Sequence, residues 1–191
     1  SVRFLYMNNS NHSNILIIGG GCAGISVATR LKSLKSDLSI SIIEPSEKSL
    51  YQAAWTLVGA GAYDVNSTIK PMSSVMPSYV NWIKEYAESF SPESNSVKTS
   101  GGEYSYDYLV VCPGLKINFD GVAGLKETLG KNNVCTNYSS DMAVYTWECL
   151  KNLQGGNLLF TEPPMPIKCA GAPQKIAYLA ADHLKKKGVL K

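Results

Sequence analysis

Residues 19–24 read Gly-Gly-Gly-Cys-Ala-Gly, directly after the apolar run Ile15-Leu16-Ile17-Ile18 and directly before a stretch of helical periodicity. A second apolar run follows and ends at Glu44. Each element has a physical task. Gly19 permits a tight turn, Gly21 lets backbone approach a pyrophosphate, and Gly24 lets helix and strand pack closely. The helix N-terminus presents free N–H groups and the positive end of its dipole, with Cys22 and Ala23 in its first turn. Glu44 accepts hydrogen bonds from ribose hydroxyls, and its charge disfavours a 2′-phosphate. Glycines alone would be weak evidence; strand, glycines, helix, strand and acid together form a dinucleotide-binding fingerprint. The competing reading is a glycine-rich turn without a ligand.

The chain has 191 residues, 45% of them hydrophobic, enough for a substantial core. Its net charge of +3 comes without any basic cluster interleaved with aromatics, so nucleic acid is not an expected partner. Lys185-Lys186-Lys187 is expected as the solvated end of a helix. Cys22, Cys112, Cys135, Cys149 and Cys169 show neither CxxC nor metal-ligand spacing, and His12 and His183 do not suggest zinc, so no metal site is expected. Sequons at Asn8, Asn66 and Asn137 are incidental without a secretory signal. No run is long enough to span a bilayer, and residues 1–13 read as a disordered or processed segment.

Periodicity predicts a strand over 14–18, a helix over 23–35 and a strand over 39–43. The helix carries an inward stripe of Ile25, Val27, Ala28, Leu31 and Leu34. The stretch from Tyr51 to Ala62 mixes small and aromatic residues; it suits either approach to a flat ligand or a tightly packed helix. A strand is expected over 79–86, and a hairpin over 97–104 with Gly101-Gly102 at its tip. Residues 106–111 read as a strong buried strand, halted by Cys112-Pro113-Gly114, where Gly114 again suits close approach of backbone to a cofactor. A helix is predicted over 140–152 and a second strand over 157–161. After the proline-rich loop comes a last helix, with Pro173 near its start, an apolar face of Ile176, Leu179, Ala180, His183 and Leu184, and Gly188 as its C-terminal stop.

The second strand-loop-helix stands where a two-domain flavoprotein would carry a second GxGxxG for a nicotinamide. Pro163, Pro164 and Pro166 occupy that position, and prolines remove the N–H donors that cradle a pyrophosphate. The expected consequence is an enzyme that does not draw electrons from a nicotinamide. Cys169 lies close to a helix N-terminus beside Lys168, with Lys175 farther on; dipole and cation both stabilise thiolate over thiol and favour nucleophilic sulfur. Its competing reading is a buried cysteine packed as a small hydrophobe. Lys175 reads first as a solvent-facing helix lysine. The other four cysteines read as packing or incidental, although Cys112 ends a strand on the expected cofactor side.

Gly19 to Gly24, Glu44-Pro45-Ser46-Glu47, Tyr51-Gln52, Trp55 to Ala62 and above all Ile167 to Lys175 resemble sulfide:quinone oxidoreductases of the mitochondrial type, over about Asn14 to the end of the chain. The block around Cys169 is the more specific part, since the fingerprint is shared across the flavoprotein disulfide reductase superfamily. The resemblance implies FAD, held by Gly19, Gly21, Cys22, Ala23, Gly24, Glu44, Pro45, Gln52 and Gly114, with Cys169 as one of two catalytic redox cysteines. It implies that hydrogen sulfide attacks a cysteine disulfide or trisulfide, that the released thiolate passes electrons through the flavin to ubiquinone, and that glutathione, sulfite or cyanide removes the persulfide sulfur. It also implies peripheral contact with the mitochondrial inner membrane. The second redox cysteine, the second acidic FAD motif and the membrane-docking segment of the family lie outside this sequence, so the chain is expected to be an N-terminal piece without turnover of its own. Ala53 stands where the family is expected to carry a proline.

The expected class is α/β: a Rossmann-like FAD-binding domain, a parallel sheet with helices, plus the start of a second dinucleotide-fold domain. The expected division is 14–118 for the FAD domain, 119–156 as a connecting segment and 157–191 as the beginning of the second domain. An NADH:quinone oxidoreductase-like flavoprotein and a non-catalytic FAD-binding fragment stay open as alternatives.

Overall fold

The computed structural model describes residues 11–190. Most of the expected N-terminal segment, and the Asn8 sequon, therefore lie outside the described residues. In chain order the elements are β1 (His12–Ile18), α1 (Cys22–Leu34), β2 (Ile40–Ile43), β3 (Lys48–Leu50), α2 (Trp55–Gly59), β4 (Ile69–Pro71), α3 (Met72–Val75), β5 (Val80–Ile83), β6 (Ala87–Ser91), β7 (Ser96–Thr99), β8 (Glu103–Val111), α4 (Leu125–Thr128), α5 (Ser140–Asn152) and α6 (Ala172–Lys186). They divide into two compact units, residues 11–49 with Pro71–Gly114, and Leu50–Lys70 with residues 115–190.

The first unit is the expected α/β sheet. Its order is β5-β2-β1-β8-β7-β6, and β5, β2, β1 and β8 run parallel. Alternation along β1 divides its side chains between two layers. Ile15 and Ile17, with Ile40 and Ile42 of β2, pack against Ala28 of α1, with Ile25, Val27 and Leu31 partly buried beside them. Leu16 and Ile18 face the other way, onto Ile43, Ile83, Val97 and Tyr106. Leu34, expected in the inward stripe, is instead 66% exposed, because it falls in the last turn, beyond the end of the strands it would cover. Residues 96–98 and 103–105 form the expected antiparallel pairing across Gly101-Gly102, and β6 extends it as an edge strand.

The strand expected over 106–111 is present as β8, but it is not buried throughout. Tyr106 is buried, while Tyr108 and Val111 are 69% and 56% exposed. A parallel strand is buried on both faces only where helices cover both, and α1 packs over β1 and β2 rather than over these two side chains.

The second unit is mainly helical. Trp55 and Val58 of α2 pack with Ala143 of α5, and Leu150 of α5 packs with Ile176 and Ala180 of α6. The middle of the Tyr51 to Ala62 stretch, from Ala54 to Gly59, is closely packed, while Tyr51 and Ala62 are exposed. A side chain at Gly59 would collide with the Asn137 amide, and one at Gly61, whose φ is +72°, would lie 2.6 Å from the Trp147 ring. The Trp55 indole N–H donates to the Thr68 hydroxyl at 3.2 Å, which in turn donates to the Val65 carbonyl. His183 sits on the apolar side of α6 as expected, edge-on to Trp147 with ring centroids 4.9 Å apart.

One expectation fails in this unit. Residues 157–161 form no strand, and Leu159 is 87% exposed; a strand exists only through a ladder partner, and among the described residues no strand neighbours this segment. The lysine run is exposed at the end of α6, as expected, and Lys187 also donates to the carbonyls of Lys151 and Leu153 at 2.7 and 2.8 Å, satisfying the open C-terminus of α5. Gly188, with φ +75°, closes α6 in a Schellman arrangement, Val189 N–H to Leu184 O and Gly188 N–H to Lys185 O.

Candidate cofactor turn and redox cysteine

The carboxyl ends of β1, β2 and β8 gather the first group of expected site residues, which is where open parallel sheets bind ligands. Gly19 adopts φ +99°, its N–H bonds Ile43 O at 2.9 Å, and any Cβ there would collide with the Cys112 carbonyl. Gly24, in the first turn of α1, lies against the Gly19 carbonyl and Ile17. Gly24→Ala is therefore expected to force α1 off β1, costing about 1–3 kcal/mol, measurable as a lower denaturant midpoint.

Gly21 behaves differently. Its backbone, φ −73° and ψ −171°, suits any residue, and a Cβ there would meet nothing within 4 Å. Gly21 is the N-cap of α1 and no side chain caps that end, so the N–H groups of Cys22, Ala23 and Gly24 have no intrahelical acceptor. Gly21, Cys22 and Ala23 are exposed. Glycine here is required neither by conformation nor by protein packing, which is the condition under which a ligand sets the residue.

Glu44 forms one wall of the turn. One carboxylate oxygen accepts from Gly20 N–H at 2.8 Å and the other from Ser46 N–H at 2.7 Å. Its carbonyl accepts from the Trp82 indole at 2.8 Å. A carboxylate offers about four lone-pair sites, so two remain for ribose hydroxyls after the side chain has been fixed in place. Gly20 was missed in the sequence: a Cβ there would lie 2.8 Å from Glu44, so the second glycine of the triplet lets the acid reach the turn. Pro45 follows, half-buried, and exposed Gly114, φ +74°, lies past the end of β8 with open space where a Cβ would point. A cradle shaped by glycines, uncapped N–H groups and an anchored acid fits a dinucleotide.

Gln52 belongs to the second unit, where its side-chain oxygen accepts from the Lys168 ammonium. Cys169, next in sequence, is exposed, and its carbonyl accepts from Ala172 N–H at 2.9 Å and from the Tyr138 hydroxyl at 3.5 Å. It therefore sits just ahead of α6, whose N-cap is Gly171. The buried-cysteine reading is overturned by this exposure. Burial holds the Lys168 ammonium below its usual range, and the Cys169 sulfur opposes that shift. Burial and the same sulfur push the Tyr138 phenol up. Lys175 is exposed on α6.

Fold and fingerprint define the class: residues 13–142 match the pyridine nucleotide-disulphide oxidoreductase family, and the chain belongs to it. Within that class, the chain is 46% identical over 182 residues to the mitochondrial sulfide:quinone oxidoreductase of Dictyostelium discoideum, covering 94% of this chain and 40% of the relative. It is 41% identical over 179 residues to the mitochondrial sulfide:quinone oxidoreductase of Mus musculus, covering 93% and 40%. The solved sulfide:quinone oxidoreductase of Aquifex aeolicus superposes with a TM-score of 0.72 at 27% identity, covering 94% of this chain and 41% of that one. The chain thus spans about 40% of the length of the curated relatives it matches.

Proposed function

We propose that this chain supplies the flavin-holding turn and one redox cysteine of an FAD-dependent sulfide:quinone oxidoreductase. The observation that carries the proposal is likeness at 46% identity over 94% of the chain, a span that must take in both the glycine turn and the Cys169 loop. FAD, when bound, accepts two electrons from sulfur and delivers them to quinone. Gly19 shapes the turn and Gly24 seats α1 against β1, so that Gly21 would let backbone meet the pyrophosphate; the N–H groups of Cys22 and Ala23 would face its charge, Glu44 with Pro45 would hold the adenosine ribose, and Gly114 would lie beside the cofactor.

Cys169 carries the sulfur. In the oxidised enzyme it is bonded, directly or through one sulfur, to a second cysteine outside this sequence. Hydrosulfide attacks that bond, one cysteine leaves as thiolate and the other keeps the added sulfur as a persulfide. Lys168, positioned by Gln52, is the cation next to the sulfur that must become negative. A small nucleophile such as glutathione, sulfite or cyanide takes the persulfide sulfur and frees the cysteine. The prolines between Glu162 and Ile167 argue against a second pyrophosphate cradle, and so against NADH as donor.

The names of the relatives place them in mitochondria, and we assign this protein to the inner membrane as a peripheral enzyme. Among the described residues no helix is long and apolar enough to cross a membrane. The test is steady-state reduction of a soluble ubiquinone analogue by the full-length protein. Sulfide is expected to support turnover and NADH is not; turnover with NADH alone would overturn the assignment.

A further inference from the structure

Two further cysteines, 14 positions apart and without a motif between them, are brought together in the second unit. The loop ahead of α5 is fixed in shape: Asn132 and Asn133 both take left-handed conformations, with φ 51° and 62°, and Gly130 N–H bonds Val134 O at 3.0 Å. It turns Cys135 back onto the C-terminal half of α5, which carries Cys149. Both thiols converge on one residue. Cys135 Sγ donates to the Asn133 carbonyl at 3.5 Å, and Cys149 Sγ donates to the Asn133 side-chain oxygen at 3.7 Å. The Tyr145 hydroxyl accepts from Asn133 N–H at 3.2 Å and completes the cluster. Both cysteines are half-buried.

We propose that Cys135 and Cys149 form a second dithiol site, one that closes reversibly to an intramolecular disulfide when it meets a small organic disulfide. Burial and a hydrogen bond shared with Cys149 push the Cys135 thiol up to about 12. Cys135 thus holds its proton, and Cys149 is assigned as the attacking sulfur. The Cys149 thiolate attacks one sulfur of R–S–S–R, forming a mixed disulfide and expelling RS⁻. Cys135 then gives up its proton to the departing second RS⁻ and attacks Cys149 Sγ. The protein loses two electrons and two protons, and the small disulfide is reduced to two thiols. The site lies apart in sequence from Cys169, and its chemistry needs neither flavin nor quinone.

The experiment uses the full-length protein, reduced, freed of reductant and exposed to 2-hydroxyethyl disulfide at neutral pH. Remaining thiols are alkylated and the protein is digested with trypsin. Lys131 and Lys151 bound a single peptide, residues 132–151, that contains both cysteines. In the wild-type protein this peptide is expected to lose two hydrogens, to carry neither alkyl group nor mercaptoethanol, and to return to the dithiol with dithiothreitol. In Cys135→Ser it is expected to retain one mercaptoethanol on Cys149. In Cys149→Ser, loss of the Cys135 thiol should slow about tenfold or more. A wild-type peptide with both cysteines alkylated, one with a persistent mercaptoethanol adduct, or either cysteine joined elsewhere would overturn the proposal, and that readout depends on no variant folding.

Discussion

Gly21→Val is expected to give a folded protein that has lost its flavin. The backbone at Gly21 lies in the extended region open to any residue, and no protein atom stands within 4 Å of the position a Cβ would take. The fold should lose no more than the difference between glycine and valine at an N-cap, about 1 kcal/mol. The ligand suffers far more, because the valine methyls occupy the space through which backbone N–H groups must meet the pyrophosphate. An overpacking penalty of about 1–3 kcal/mol weakens FAD about 5- to 150-fold, at 1.4 kcal/mol per factor of ten. The check is the ratio of flavin to protein absorbance in the purified full-length variant, with circular dichroism to verify the fold. Gly24→Ala provides the contrast, since its side chain would meet the Gly19 carbonyl inside the protein and should lower stability first. A Gly21→Val protein with full flavin content would mean that the turn does not hold the cofactor.

Cys169→Ser is expected to stay yellow and lose sulfide-dependent quinone reduction, on the order of a thousandfold or more, as when a nucleophile is deleted. The substitution is nearly isosteric at an exposed position whose carbonyl, not its sulfur, accepts from Ala172 N–H and the Tyr138 hydroxyl, so neither the fold nor the Tyr138 contact should change. Serine is neither able to hold a persulfide nor to act as a sulfur leaving group. Flavin content and melting temperature should match the parent protein, which separates this outcome from that of Gly21→Val. Normal turnover by Cys169→Ser would remove the assigned role.

The first βαβ unit was legible because its information is local. Alternating isoleucines of β1, the glycine turn and the helical stripe of α1 are set by neighbours in sequence, and the structure places them within one or two residues of expectation. The anchoring of Glu44 by Gly20 was not legible, since GxGxxG leaves its second position free while the geometry does not. Burial along β8 was overestimated because apolar residues state what can be covered, not what covers them. For the same reason Asn157 to Thr161 read as a strand: composition records β propensity, and a ladder needs a partner. Gly59 and Gly61 make room for Asn137 and Trp147, far away in sequence, and that packing is not written in the local pattern. Cys135 and Cys149 gave no signal at all. Their meeting depends on two asparagines in left-handed conformation that turn the loop back, and spacing along the chain does not encode that.

The central claim is that sulfur, arriving at Cys169, is the source of electrons for the flavin. Its most direct test is an anaerobic titration of the purified full-length protein, first with sulfide and separately with NADH, following the flavin absorbance band. Sulfide alone is expected to bleach the band at about one equivalent, as two electrons per sulfide require, while NADH leaves it unchanged. Bleaching by NADH, with no response to sulfide, would contradict the account and place the protein with the nicotinamide-dependent members of its family.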